Sequence, residues 1–180
     1  MADTKRTATD LLTNLFQDGQ SAGISAQDLR DFVSSCRPPF GGASVTGNAS
    51  ATTITVQSTY YPINATFIAG SLVEVGITAS GGKMTYTGTP ARHFHVVSNL
   101  DAFAATNNQI LSFQWFKNGV AIAPPIKCKI TSGGDIATMS IHTDVMLSTN
   151  DYLELKVTNT SSTATVTIEN CYLFMHGMIM

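Results

Sequence analysis

From about Tyr60 to Met180 the chain alternates apolar and polar positions with a period of two. Val73, Val75 and Ile77 set the rhythm, followed by Leu111, Phe113 and Trp115, by Met139, Ile141, Val145 and Leu147, by Leu153, Leu155 and Val157, and by Val166 with Ile168. That spacing turns one set of side chains toward a core and the other toward solvent, the signature of half-buried strands. Turn residues punctuate the runs at Ser80-Gly81-Gly82, Asn107-Asn108, Asn118-Gly119, Ser132-Gly133-Gly134, Asn150-Asp151 and Asn159-Thr160. Asn118-Gly119 is the sharpest hairpin signal, because a type I′ turn needs positive φ at both central residues. Many short antiparallel strands in one domain predict a sandwich or barrel. An immunoglobulin domain would set its Trp between two paired cysteines, whereas Trp115 precedes both Cys128 and Cys171. The expected fold class is all-β, an antiparallel jelly-roll sandwich preceded by a short α-helical N-terminal segment.

The first 37 residues follow a different period. Leu11, Leu12, Leu15 and Phe16 recur at helical spacing until Gly19 and Gly23 stop the helix. A second helix is better marked: Ser25 can cap it, Asp28 sits at the third position, and Ile24 can staple onto Leu29. Leu29, Phe32 and Val33 then form one apolar stripe, which either docks the head on its own body or anchors it to a partner. Pro38-Pro39 and Gly41-Gly42 end the head, so the chain divides into a helical segment 1–37, an extended arm 38–59 with an expected strand around Ile54 and Val56, and a β domain 60–180.

The last strand, Asn170 to Met180, is apolar on both faces. A two-faced apolar strand must be covered twice, once by its own core and once by something else. Either Tyr172, Phe174 and Met178 or the alternate set Leu173, Met175 and Ile179 would otherwise stand in water. Self-association through that face is the economical solution.

Composition supports this. Only 12% of residues are charged, about half the usual share of a soluble domain. The net charge of −2 excludes a polybasic surface for nucleic acid or anionic membrane. No apolar run reaches the length of a secretory signal or membrane span, and three widely spaced cysteines without a C-x-x-C pair read as free thiols in a reducing compartment. The sequons at Asn48, Asn64 and Asn159 then carry no glycan.

Candidate chemistry is thin. His93 and His95 share a strand face as in the H-x-H of metal-binding cupins, but no Glu follows; His142 and His176 join them only if the fold brings them near, or if an oligomer axis gathers copies of one histidine. They are expected to be interface or surface histidines, with no metal and no cofactor. Gly81-Gly82-Lys83 lacks the rest of a phosphate loop, no nucleophile elbow is present, and the carboxylates Asp144, Asp151 and Glu154 stand isolated. No catalytic residue is expected, and the chain is read as not an enzyme.

Four segments together resemble the trimeric jelly roll of the tumour necrosis factor and complement globular-head superfamily, in its bacteriophage versions: residues 83–103 (KMTYTGTPARHFHVVSNLDAF), 110–122 (ILSFQWFKNGVAI), 134–157 (GDIATMSIHTDVMLSTNDYLELKV) and 165–178 (TVTIENCYLFMHGM). The N-terminal SAQDLRDFV is similar to a segment that opens many small phage virion proteins. The resemblance implies a homotrimer with Tyr172, Phe174 and Met178 on its inner sheet, and an anchor of Leu29, Phe32 and Val33 on the major capsid protein. It implies a head decoration or cement protein, made in the bacterial cytoplasm and placed on the outer capsid surface. The rival reading is a tail-fibre or spike tip that binds a receptor or carbohydrate through loops around Tyr86, Asn107-Asn108 or Ser161-Ser162.

Overall fold

The structure, a computed structural model, describes residues 4, 6–15 and 24–178. Two antiparallel sheets face each other across one core. Sheet A runs in the order β11 (Ala137–Leu147), β7 (Arg92–Ala104), β13 (Val166–Gly177), β1 (Phe40–Val45) and β4 (Ile68–Val73), with β2 (Ala51–Thr52) also paired to β13. Sheet B runs β10 (Ile126–Ile130), β8 (Gln109–Lys117), β12 (Tyr152–Asn159), β6 (Lys83–Tyr86) and β5 (Val75–Thr78), with β3 (Tyr61–Pro62) on β12 and β9 (Val120–Ala121) on β8. Consecutive strands repeatedly cross between the sheets, as a jelly roll requires.

The period-two residues fill the space between the sheets. Phe94, Val96, Leu100, Leu111, Phe113, Trp115, Leu153, Leu155, Val157, Val166 and Ile168 are all essentially without exposed surface. Asn118 and Gly119 take φ of 50° and 82° between β8 and β9, the I′ hairpin that the dipeptide predicts. The three sequon asparagines bond the backbone: Asn48 Nδ2 donates to the Ile168 carbonyl at 2.9 Å, Asn64 Nδ2 to that of Ala51 at 3.0 Å, and the fully buried Asn159 donates to the Ala164 carbonyl at 3.2 Å as well as to Gln109 Oε1 at 2.9 Å.

The segment 38–59 is not an arm. Residues 40–45 form β1, hydrogen-bonded to β13 on one side and β4 on the other, and Ala43, Val45 and Ile54 belong to the core. The expected strand at Ile54 and Val56 is absent; Ile54 is buried from a loop, and the nearby strand is β2. Gly41 and Gly42, expected to end the head, are instead strand residues under close packing. A Cβ on Gly41 would stand 2.6 Å from Val75 Cγ1, and one on Gly42 3.0 Å from the Leu173 carbonyl oxygen. Small residues that permit close approach leave no alternation to read.

In the head, residues Ala8–Asp10 are α-helical and continue as a π-turn over Leu11–Leu15, while Phe16, Gly19 and Gly23 lie outside the described residues. Helix α2 (Ala26–Cys36; the short Ala8–Asp10 turn is α1) opens on the expected cap: Ser25 Oγ accepts from Asp28 N at 3.1 Å and Asp28 Oδ2 accepts from Ser25 N at 2.9 Å. No described helix is long and apolar enough to cross a membrane.

Candidate functional site

Strand β13 lies at the centre of sheet A, with β7 on one edge and β1 with β2 on the other. Its alternate residues part cleanly. Cys171, Leu173 and Met175 point into the core, whereas Tyr172, Phe174 and His176 rise on the outer face. The outer three form a continuous ring stack, Tyr172 to Phe174 at 6.2 Å between centroids and 10° between planes, then Phe174 to His176 at 6.4 Å and 23°. Tyr172 remains 47% exposed, and Met178, just past the strand, is also exposed.

Both flanks of this stack are open. On the β1 side a groove runs along Gly42, Ser44, Ile68 and Gly70, and Ile68 at its edge is 74% exposed. On the other side β7 and β11 carry the rest of the face. Register pairs His142 with Val97 and Val97 with Phe174, and pairs Asp144 with His95 and His95 with His176. Three of the four histidines thus meet in two adjacent cross-strand rows, and His93 lies two residues before His95 on the same face. His95 Nδ1 stands 2.8 Å from Asp144 Oδ1, His95 Nε2 stands 3.4 Å from His142 Nδ1, and His142 Nε2 stands 2.9 Å from Ser140 Oγ.

Histidines apart, the six strands of this sheet contain one cationic residue, Arg92, and it is turned inward and buried. The outer face therefore carries aromatic, aliphatic, hydroxyl, histidine and carboxylate groups without a lysine or arginine.

Structural comparison agrees with this architecture. Murine APRIL at pH 5.0 superposes with a TM-score of 0.52 at 10% identity, covering 79% of this chain and 100% of that one. The fold is a TNF-like jelly roll. Eiger TNF from S. frugiperda aligns at TM-score 0.48 with 12% identity over 78% of this chain and 93% of that one, and PRD1 vertex protein P5 at 0.47 with 9% identity over 79% and 97%. No protein-family model matches the sequence, and no curated protein matches it.

Beside the TNF-like jelly roll, helix α2 presents a second surface, and it is inside out. Its polar residues Asp31 and Ser35 are buried, Asp31 to 1% exposure, while Leu29 and Val33 are 57% and 63% exposed. The polar side is pinned from two directions. Thr4 N and the Gln27 amide donate to Asp31 Oδ1, the Arg6 guanidinium meets Asp31 Oδ2 at 3.1 Å, and Arg6 N donates to Ser35 Oγ at 2.7 Å. The backbone N–H of Thr4 first, then the Gln27 amide and Arg6, outweigh burial and hold the Asp31 carboxyl below the usual aspartate range. From the body, Arg92 Nη2 donates to the Ser35 carbonyl at 3.2 Å. The apolar stripe is thus not what holds the helix; it faces away from the jelly roll, and Phe32 on it is half-exposed.

The loop residues expected to read a host surface fare differently. Tyr86 is fully buried, edge-on to Phe94 at 4.9 Å between centroids, and its hydroxyl donates to the Pro90 carbonyl at 2.7 Å, so it presents nothing outward. Asn107 and Ser162 spend their side chains on neighbouring backbone and on Gln109. The convergence of His95, Asp144, His142 and His176 was out of reach of the sequence because it depends on the pairing of three strands far apart in the chain.

Proposed function

We propose that the chain is a homotrimeric virion structural protein that decorates or cements the outside of a phage head. Three copies pack through the outer face of sheet A, burying Tyr172, Phe174 and Met178, and each offers Leu29, Phe32 and Val33 of α2 to the major capsid protein. The observation that carries this reading is the unfinished outer face of sheet A. A stacked aromatic row on the central strand, beside an exposed Ile68 and free of lysine and arginine, has the composition of an interface core. Burying each large ring there is worth about 1.5–3 kcal/mol.

The TNF-like fold and the resemblance of residues 83–103, 110–122, 134–157 and 165–178 to phage trimeric jelly rolls support three as the copy number. The inside-out helix supports the anchor, since a stripe of Leu29 and Val33 kept in water by a buried Asp31 is placed for a partner. Three such stripes on one trimer act together, so weak single contacts hold firmly through effective concentration and no catalytic group is needed.

Quantitative mass spectrometry of purified particles tests the assignment. A simple ratio to the major capsid protein, in hundreds of copies, is expected. A handful of copies per particle would overturn the head role and move the protein to the tail. Leu29→Ser with Val33→Ser is expected to abolish particle binding while leaving the trimer intact.

A further inference from the structure

We propose that His95 and His142 form a two-nitrogen chelate for a divalent transition-metal ion such as Zn²⁺, built on the outer face of sheet A. The spacing carries the argument. His95 Nε2 and His142 Nδ1 face each other at 3.4 Å. An ion bound to both at the usual Zn–N distance of about 2.05 Å would subtend an angle of about 110°, close to the tetrahedral value.

The surroundings set the lone pairs as a metal requires. Asp144 Oδ1, 2.8 Å from His95 Nδ1, accepts there, which selects the neutral tautomer with its proton on Nδ1 and its lone pair on Nε2 as the form that can take a metal. A carboxylate behind a ligating histidine is the usual outer partner of a metal-bound imidazole. Ser140 Oγ, 2.9 Å from His142 Nε2, can accept from it and so turns the lone pair of Nδ1 toward His95. Without metal the same hydroxyl can donate to Nε2, and Nδ1–H then bonds His95 Nε2. The network accommodates both states by one hydroxyl rotation and one tautomer change.

Both rings are accessible: the His95 side chain is 46% exposed and His142 stands on the open face. Among the described residues no third His, Cys, Asp or Glu of the same copy completes the set. The remaining positions go to a second copy, whose outer face meets this one in the trimer; that completion rests on the association proposed above, while the chelate itself does not. The ion would then tie assembly to metal supply at a face that carries no lysine or arginine to repel it.

The test uses the untagged full chain stripped with a chelator and titrated with Zn²⁺ calorimetrically, with Co²⁺ as a spectroscopic probe. Saturable binding is expected, with a tetrahedral visible Co²⁺ band. His95→Ala or His142→Ala should weaken it at least tenfold, and Asp144→Asn, which removes no ligand, by roughly 10–100-fold. No saturable binding at millimolar Zn²⁺, or binding that survives both histidine substitutions, overturns the chelate. Sedimentation in chelator separates this from association. A metal-free trimer that ignores Zn²⁺ defeats the chelate alone, whereas a monomer that binds Zn²⁺ defeats the trimer and leaves the chelate standing.

Discussion

The outer faces of the two sheets are built from the same alternation but finished in opposite ways. The strands of sheet B carry five lysines, Lys83, Lys117, Lys127, Lys129 and Lys156, whereas those of sheet A carry only the buried Arg92. On sheet B the long cationic stems cover the aromatic surface beneath them. Lys83 sits 4.3 Å over the Tyr152 ring and 3.7 Å from Glu154, and Lys156 sits 4.9 Å over Phe116 and 3.4 Å from Glu154. Tyr60 packs against Phe116 at 5.4 Å between ring centroids. The Glu154 and Lys156 side chains of these pairs are largely covered, and Lys83 is about one-third exposed. Their effect is to shield Tyr152 and Phe116, with Lys127 and Lys129 guarding the edge strand against further pairing, while the aliphatic Ile110, Val120 and Ile126 stay exposed. Among the described residues, no lysine or arginine covers the rings of sheet A. Outward aromatics alone would not separate the faces, since Phe116 and Tyr152 point outward on sheet B as Tyr172 and Phe174 do on sheet A; the cover does.

The largest expected effect comes from giving sheet A what sheet B has. Phe174→Lys puts an ammonium in the middle of the ring stack, and sedimentation should show the trimer dissociating, with a rise of roughly two orders of magnitude in the dissociation constant. The matching change on sheet B, Lys156→Ala, should leave the mass unchanged. One residue away from Phe174 the consequence changes kind. Leu173 is fully buried on the inner side of the same strand, so Leu173→Ala should cost about 2–5 kcal/mol in denaturant melts.

A smaller effect belongs to the rim of sheet B. Burial alone would raise the Asp151 carboxyl, but the Lys117 ammonium at 2.8 Å, the Ser148 N–H and the Asn118 amide outweigh it, taking the pKa from 3.8 to about 2. A depressed folded pKa stabilises the protein above the unfolded value, and that contribution disappears as pH falls from about 4 toward 2. Asp151→Asn should lose about 1–2 kcal/mol at neutral pH and flatten this acid limb of the melting curve. The mildest test reads thiols. Exposed Cys36 should alkylate readily and half-buried Cys128 slowly. Burial pushes the Cys171 thiol up to about 12, so it should react only on unfolding.

The inner half of this architecture was legible in the sequence. Alternation alone assigned Leu111, Phe113, Trp115, Leu153 and Leu155 to the core, and the Asn118-Gly119 turn and the Ser25/Asp28 cap followed from local geometry that short sequences encode. The outer half was legible only in part. The two-faced character of residues 170–178 announced an uncovered surface, but which alternate set faced out depended on the core, and the structure turns Leu173 and Met175 inward. Strand β1 escaped because Gly41, Gly42 and Ala43 are small, and smallness in response to Val75 and Leu173 produces no hydrophobic rhythm. The orientation of α2 was the least accessible, since an amphipathic stripe ordinarily faces its own domain. Here Asp31 and Ser35 find Thr4, Arg6 and Arg92 instead, and no pattern within the helix encodes those distant partners.

Sedimentation equilibrium of the untagged full chain at micromolar concentration reads the association through sheet A. Trimerisation gives one species with three times the mass of a single chain, reduced to one chain by Phe174→Lys and left whole by Lys156→Ala. A folded wild-type protein that sediments as a single chain would contradict it, and the bare ring stack of sheet A would then have to stand in water unaided.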